Sequence, residues 1–104
     1  MSENLPVIRK AVCLAYKGDE IVNLVKAAHR LPPYHLDLAP SRLRIDCQSL
    51  VSGDWRCAFV FSRTPHNGWV LDLIEYDFGL TMKRALASLG ELEKMGLRNL
   101  KHGL

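Results

Sequence analysis

Three consecutive β-strand patterns in the second half of the chain constrain its fold more than any other feature. From Leu43 to Gln48 apolar and polar residues alternate, which is the pattern of a half-buried strand. Two aromatic-rich runs follow, WRCAFVFSR and WVLDLIEYD. Turn-forming sequences separate the three runs, first Ser52-Gly53-Asp54 and then Asn67-Gly68. The sequence therefore predicts a three-stranded antiparallel meander.

The registers of the two predicted hairpins follow from the need for one common apolar face, since a one-residue slip moves every side chain to the other face. A three-residue turn with a left-handed Gly53 predicts these pairs: Ile45 with Phe59, Leu43 with Phe61, and Cys47 with Cys57. A two-residue type I′ turn at Asn67-Gly68 predicts a second set: Phe61 with Ile74, Phe59 with Tyr76, and Arg63 with Asp72. Pro65, in the flank of the second turn, is the residue that would lengthen this loop.

The other face of the meander is predicted to mix apolar and charged residues. Its expected members are Ala58, Val60, Leu71 and Leu73 toward the Asn-Gly turn, and Arg44, Arg56, Glu75 and Asp77 toward the opposite end. Two arginines beside two carboxylates form a mixed cluster, so we expect much of this charge to be paired within the protein. Since both faces carry apolar residues and only two helices are predicted to cover them, we also expect a homodimer.

The first half of the chain is predicted to hold one strand and one helix. The run AVCLAY is apolar without a break, which is typical of a strand covered on both faces, so we expect it inside the sheet. A short amphipathic helix follows, with Asp19 as N-cap and Pro32-Pro33 as its stop. Its apolar stripe consists of Ile21, Leu24, Val25 and Ala28. The YHLDL segment before Pro40 predicts only a brief extended piece.

A second helix is predicted to close the chain, with Thr81 as N-cap and Gly96 as C-cap. Its apolar face consists of Met82, Ala85, Leu86, Leu89 and Leu92. Gly90 is expected either to allow close backbone approach or to mark a break. The resulting order is β-α-β-β-β-α, which predicts an α+β fold with a mainly antiparallel meander sheet packed by two helices.

Composition sets the broad class of the protein. The 104 residues suit a single domain spanning 1–104, and 48% hydrophobic with 24% charged residues is ordinary for a globular protein. There is no apolar run long enough for a membrane span and no apolar core for a secretory signal, so we expect a cytoplasmic protein. Three cysteines without a Cys-x-x-Cys spacing favour reduced thiols over a disulfide framework or a zinc ribbon.

Specific catalytic and metal-binding motifs are absent from the sequence. The four histidines show neither an HExxH motif nor a Cys/His zinc spacing, so we expect no metal and no cofactor. His35 and Asp37 share one strand face, where they either ligate or relay protons or simply face solvent. Neither predicted hairpin sets a histidine opposite a cysteine, and there is no phosphate-binding Gly-rich loop. An enzyme is therefore the less favoured class.

One resemblance to a known family lies between Leu43 and Asp77. The segment SGDWRCAFVF followed by VLDLIEYD resembles the Trp-Arg strand and the final strand of the RelE/HigB-like toxins, which cleave mRNA on the ribosome and pair with antitoxins. The resemblance implies that Arg56 contacts phosphate and that Tyr76 lies near the scissile backbone. Asp77 stands where that family often has a histidine, and the net charge of +3 is low for a protein that holds RNA by its phosphates.

The sequence thus favours a small binding module over an enzyme. We expect it to act through a sheet face or a homodimer surface, on a protein partner or on itself, with Arg44, Arg56, Glu75, Tyr76 and Asp77 as the candidate binding residues. The alternative is a RelE/HigB-like toxin, in which nucleic acid would be the partner.

Overall fold

The structure of the protein, a computed structural model, describes residues 7–30, 34–48, 56–77 and 80–102. In chain order its elements are β1 (Val7–Tyr16), α1 (Gly18–Arg30), β2 (Tyr34–Ala39), β3 (Arg42–Gln48), β4 (Arg56–Arg63), β5 (Trp69–Asp77) and α2 (Met82–His102). The predicted α+β class is confirmed. The order gains one strand, because the YHLDL segment pairs with β3 along the whole of β2 instead of ending as a brief extended piece.

The five strands form one antiparallel sheet in the order β1-β5-β4-β3-β2. The expectation that the AVCLAY strand lies inside the sheet is wrong, because β1 is an edge strand. Ile8, Val12 and Tyr16 pack against the core, whereas Ala11 and Leu14 are exposed. An apolar run indicates that a strand seeks cover, but its neighbours in the sheet are decided by pairing with residues far along the chain.

Both helices pack on the same face of the sheet, which we call the core face. Leu24 and Ala28 of α1, together with Leu89 and Leu92 of α2, belong to one continuous buried cluster with the sheet. From the sheet this cluster includes Leu43, Ile45, Cys47, Cys57, Phe59, Phe61, Leu71, Ile74 and Tyr76. The large aromatic and branched side chains make this burial the main source of stability.

The opposite side of the sheet, which we call the open face, is covered by neither helix. Its side chains come from alternate positions of the five strands: Arg9 and Ala11; His35 and Asp37; Arg42, Arg44 and Asp46; Arg56, Ala58 and Val60; Leu73, Glu75 and Asp77. The open face therefore contains four of the five predicted binding residues, and Tyr76 is the exception.

The first hairpin has the predicted register. Leu43 lies opposite Phe61, Ile45 opposite Phe59, and Cys47 opposite Cys57. The predicted turn at Gly53 lies outside the described residues. All six of these side chains are buried on the core face, so the rule that a hairpin keeps one common apolar face was sufficient here.

The second hairpin differs from its predicted register. Phe59 pairs with Ile74 instead of Tyr76, and Arg63 pairs with Trp69 instead of Asp72. Hydrogen bonds between Thr64 and Gly68 close a three-residue loop, Pro65-His66-Asn67, in place of the two-residue turn. Asn67 has a φ of 64°, the left-handed conformation that such a loop requires, and the fixed φ of proline suits the first central position of a type I turn.

A β-bulge in β5 corrects one further assignment. The register between β4 and β5 shifts so that Val60 pairs with Leu73 while the next residue, Phe61, pairs with Leu71. Asp72 is the extra residue, and its insertion turns Leu71 to the core face, where it is fully buried. Strict alternation predicts Leu71 on the other face, because it does not anticipate a bulge.

The helix ends agree only in part with the prediction. α1 begins at Gly18, and the Glu20 carboxylate accepts a hydrogen bond from the Lys17 backbone N–H at 2.7 Å. This bond makes Lys17 the N-cap residue. The predicted N-cap, Asp19, lies inside the first turn instead. The Thr81 N-cap is confirmed, since its hydroxyl accepts a hydrogen bond from the Arg84 N–H at 3.2 Å. α2 continues through Gly90 and past Gly96 to His102, so the predicted C-cap is wrong.

Among the predicted α2 stripe, Leu86 is exposed while Ala85, Leu89 and Leu92 are buried. A Cβ placed at Gly90 would meet no described atom within 4 Å, so this glycine does not serve a close contact there. None of the helices in the described part of the chain is both long and apolar enough to cross a bilayer.

Candidate functional site on the open face

A chain of ion pairs crosses the open face from β3 to β1. The Arg44 guanidinium contacts the Asp46 carboxylate at 3.2 Å and Glu75 Oε1 at 2.9 Å. The other oxygen of Glu75 accepts a hydrogen bond from Arg9 Nε at 3.0 Å. Two cations thus alternate with two anions, and the carboxylate of Glu75 is held from both sides.

The small side chain of Ala58 makes this arrangement possible. Asp46 and Glu75 both lie directly opposite Ala58, one on each neighbouring strand, while Arg44 lies opposite Val60. For Arg44 to reach Glu75 it must cross β4 diagonally, above Ala58. Both Ala58 and Val60 are only 3% exposed although no helix covers them, because the charged side chains lie over them.

Electrostatic coupling within the chain of ion pairs acts on the pKa values of its members. Burial alone would raise the pKa of Glu75, but hydrogen bonds from Arg44 and Arg9 outweigh it and lower that pKa below its usual range. Burial alone would likewise lower the pKa of Arg44, and its hydrogen bonds with Asp46 and Glu75 raise it instead. The ion pairs are therefore present at any physiological pH.

Arg56 and Asp77 form a second, looser pair at the end of the face. The carboxylate of Asp77 is buried and accepts a hydrogen bond from the Arg56 backbone N–H at 2.9 Å, while the guanidinium is 3.9 Å away. The main role of Asp77 is therefore to hold the start of β4 against the end of β5. The Arg56 side chain remains more than half exposed and is available for an external contact.

Two depressions flank the Arg44–Glu75 pair. The larger, with a volume of about 350 Å³, has an apolar floor of Val60 and Leu73 and is bordered by these residues: Asp37, Ala39, Arg42, Arg44 and Glu75. The smaller, with a volume of about 110 Å³, lies between the two ion-pair groups and reaches Val7 and Arg56. The open face thus offers recesses for apolar side chains, surrounded by polar groups, which is the arrangement found at protein interfaces.

Tyr76 does not belong to this face. Its side chain is 6% exposed and packs in the core cluster, opposite Cys57 on one side and Ile8 on the other. Arg56 and Tyr76, which the family resemblance brings together at one site, point to opposite sides of the sheet. The binding role assigned to the other four residues stays a prediction.

Sequence reasoning missed Arg9, which is the fourth member of the ion-pair chain. The alternation of β1 alone would have grouped Arg9 with Ala11, but only the pairing of β1 with β5 sets Arg9 opposite Glu75. His35 and Asp37 of β2 also lie on the open face, opposite Asp46 and Arg44 respectively, and both are exposed. Within the described ranges, no three histidine, cysteine or acidic side chains form a group that would hold a metal ion.

The two buried cysteines lie on the core face, away from the site. Cys47 and Cys57 are directly opposed and buried, as predicted, no disulfide joins them, and Cys13 is exposed. The hydrogen bond with Cys47 and burial together raise the pKa of the Cys57 thiol, which makes it a poor nucleophile. Comparison of the chain with models of protein families, with curated proteins and with solved structures gave no match.

Proposed function

We propose that this protein is a small cytoplasmic interaction module that binds a protein partner, or a second copy of itself, through the open face. The observation that carries the proposal is a sheet face left uncovered by both helices, with a depression between polar groups that is lined by the half-buried Leu73 and the buried Val60. A partner side chain in this depression would exclude water from the part of Leu73 that remains exposed.

The balance of charge on this face supports a protein ligand over a polyanion. Each of Arg9, Arg44 and Arg56 contacts a carboxylate. Arg42, the fourth arginine of the open face, is matched in number by Asp37, so the described face carries no net positive charge. Binding to RNA phosphates requires an excess of free cations, and its strength falls steeply with salt in proportion to the number of phosphate contacts. Arginines that are already paired do not provide this excess of free cations, whereas arginine is common at protein interfaces that have a polar rim.

The alternative of a RelE/HigB-like ribonuclease stays a prediction. The exposed side chain of Arg56 is compatible with a phosphate contact. The burial of Tyr76 on the other face leaves that proposal without an aromatic residue beside Arg56 on the open face of the described sheet.

The test of the interaction proposal is a quantitative pull-down from the native host with two charge-reversal variants. Arg42 is exposed and borders the larger depression, whereas Lys26 is exposed on α1, on the other side of the molecule. We expect Arg42→Glu to lose a partner that wild type and Lys26→Glu both retain. Equal recovery of the same partner by all three proteins would contradict binding at the open face.

Two experiments distinguish the ribonuclease alternative from the interaction module. One is RNA titration at low and high salt, and the other is expression without a neighbouring antitoxin. We expect weak RNA binding with a shallow dependence on salt, and normal growth of the expressing cells. Tight, steeply salt-dependent RNA binding, together with growth arrest that Arg56→Ala abolishes while the fold is intact, would replace the interaction proposal by the toxin.

A further inference from the structure

The free edge of β1 is the least protected part of the described sheet. β1 has ten residues and pairs with β5 on one side only, and its exposed residues include Ala11, Cys13, Leu14 and Ala15. Leu14 is 45% exposed. Long apolar edges of this kind template pairing with another strand, and natural proteins usually avoid them.

The other edge of the sheet shows the contrast. β2 has six residues, presents the polar side chains of His35 and Asp37, and ends just before Pro40. Short strands, charges and proline are the features that block edge pairing. β1 also carries Arg9, Lys10 and a register irregularity between Ala11 and Leu14, but it is four residues longer than β2, and its five residues from Ala11 to Ala15 are uncharged. The central part of β1 is therefore the less protected edge.

The sequence of β1 fits an antiparallel neighbour identical to itself. With Cys13 opposite Cys13 of the second copy, Ala11 lies opposite Ala15, and Val12 opposite Leu14, so every central pair is small or apolar. β1 keeps its alternation through the register shift against β5 between Ala11 and Leu14, since Val12 packs against the core and Leu14 lies opposite the buried Leu71. Directly opposed residues of the two copies therefore point to the same face. Arg9 lies opposite Lys17 of the second copy, just past the end of β1, and the Glu75 carboxylate that contacts Arg9 offsets this pair of cations.

Lys10 provides the charge complementarity that favours a second copy. In this register Lys10 lies opposite Tyr16 of the second copy, on the core-face side. The Tyr16 hydroxyl donates a 2.6 Å hydrogen bond to Glu93 of α2, so a carboxylate stands beside the position that Lys10 would occupy. The two copies of Lys10 are themselves about 20 Å apart, at six residues along the strand, and do not repel each other at physiological salt.

From these observations we infer that the protein forms a homodimer by antiparallel pairing of β1 with β1 of a second copy, which merges the two five-stranded sheets into one. The twofold axis of such a pair is perpendicular to the sheet, so both open faces lie on the same side and all helices on the other. β1 then has a neighbour on both sides, which covers its exposed apolar residues. The dimer uses a surface other than the open face, which it leaves free for a partner.

The test compares two leucine-to-lysine variants by sedimentation over a range of micromolar concentrations. Leu14 lies on β1, and Leu38, which is 59% exposed, lies on the opposite edge strand as a matched control. We expect wild type and Leu38→Lys to be dimeric and Leu14→Lys to be monomeric, with a dimer dissociation constant raised by about tenfold or more. A monomeric wild type, or a dimer that Leu14→Lys leaves intact, would overturn the inference.

A thiol cross-link reports the register directly and does not depend on the folding of a variant. A short bis-maleimide should join two wild-type chains through Cys13 and should fail to join Cys13→Ser chains. Absence of this cross-link in a dimeric wild type would overturn the register. Arg42→Glu should remain dimeric, so dissociation of the dimer by that variant alone would assign self-association to the open face instead of β1.

A charge exchange tests the predicted contact between Lys10 and Glu93. Lys10→Glu should weaken the dimer because it sets two carboxylates side by side, and adding Glu93→Lys should restore it. Lys10→Glu without effect, or a double variant no stronger than the single one, would show that these residues do not meet across the junction.

Discussion

Replacing Glu75 by glutamine removes the carboxylate that Arg9 and Arg44 share while keeping the size of the side chain. Glu75 is 14% exposed, so its two hydrogen bonds are sheltered at the acceptor, but the Arg9 side chain is mostly exposed and Arg44 partly so. Because the cations are exposed, both guanidinium groups can be hydrated again in the variant. The loss of stability is therefore well below that for breaking a buried ion pair. We expect a loss of about 1 to 1.5 kcal/mol in the free energy of unfolding.

The expected loss corresponds to a fall in Tm of about 6 °C for a domain of this size, measurable by thermal or urea denaturation. Asp46→Asn is the matched control, because among the described residues the ion-pair partner of Asp46 is the partly exposed Arg44 alone, so its loss should cost less than about 0.5 kcal/mol. Equal losses for the two variants would refute the reasoning that Glu75 is the centre of the ion-pair chain.

The pH dependence of the Glu75→Gln loss has a definite sign. Since the folded-state pKa of Glu75 is lowered, its ion pairs stabilise the fold above the unfolded-state pKa of about 4.3, and this contribution disappears as pH falls through the folded-state value. The difference in stability between wild type and Glu75→Gln should therefore be full at pH 7 and shrink on acidification below about pH 4. A difference that stays constant into strong acid would show that the ionised carboxylate is not its source.

Three further predictions concern other parts of the fold. A maleimide should label Cys13 promptly in the native protein and leave Cys47 and Cys57 unmodified until denaturant is added; prompt labelling of all three thiols would contradict their burial. Because Asn67 has a φ of 64°, Asn67→Gly should be tolerated while Asn67→Val should cost about 1 to 2 kcal/mol in urea denaturation, and equal effects would argue against the left-handed loop. Thr81→Ala should cost about 1 kcal/mol by loss of the N-cap, with Thr81→Ser close to wild type in the same assay.

Local patterns predicted the first hairpin and most of the site. The alternation of β3 and β4 was sufficient to derive their register, and together with the alternation of β5 it set Arg44, Arg56, Glu75 and Asp77 on one face. The alternation of β5 also grouped Tyr76 with the apolar side, so the pattern anticipated its burial better than the family resemblance did.

What the sequence did not predict depends on contacts that no local pattern specifies. The choice between a two-residue and a three-residue loop at Asn67 shifts the register of β5, and the bulge at Asp72 reverses the face of Leu71. The edge position of β1 and the contact of Arg9 with Glu75 both follow from one pairing between strands at opposite ends of the chain. Alternation identifies which residues lie on each face of a strand, but it does not predict which strands are its neighbours in the sheet.

That same pairing sets the order in which the protein can be completed during synthesis. β1 leaves the ribosome before the other described strands, yet its partner residues are made 53 to 70 residues later, from Trp69 opposite Tyr16 to Asp77 opposite Val7. The hairpins from β2 to β5 close over short loops and can form early, whereas the junction of β1 with β5 carries the entropy cost of a long loop and must form late. Until then the nascent chain exposes an apolar strand, which is the interval in which chaperone capture or aggregation competes with folding.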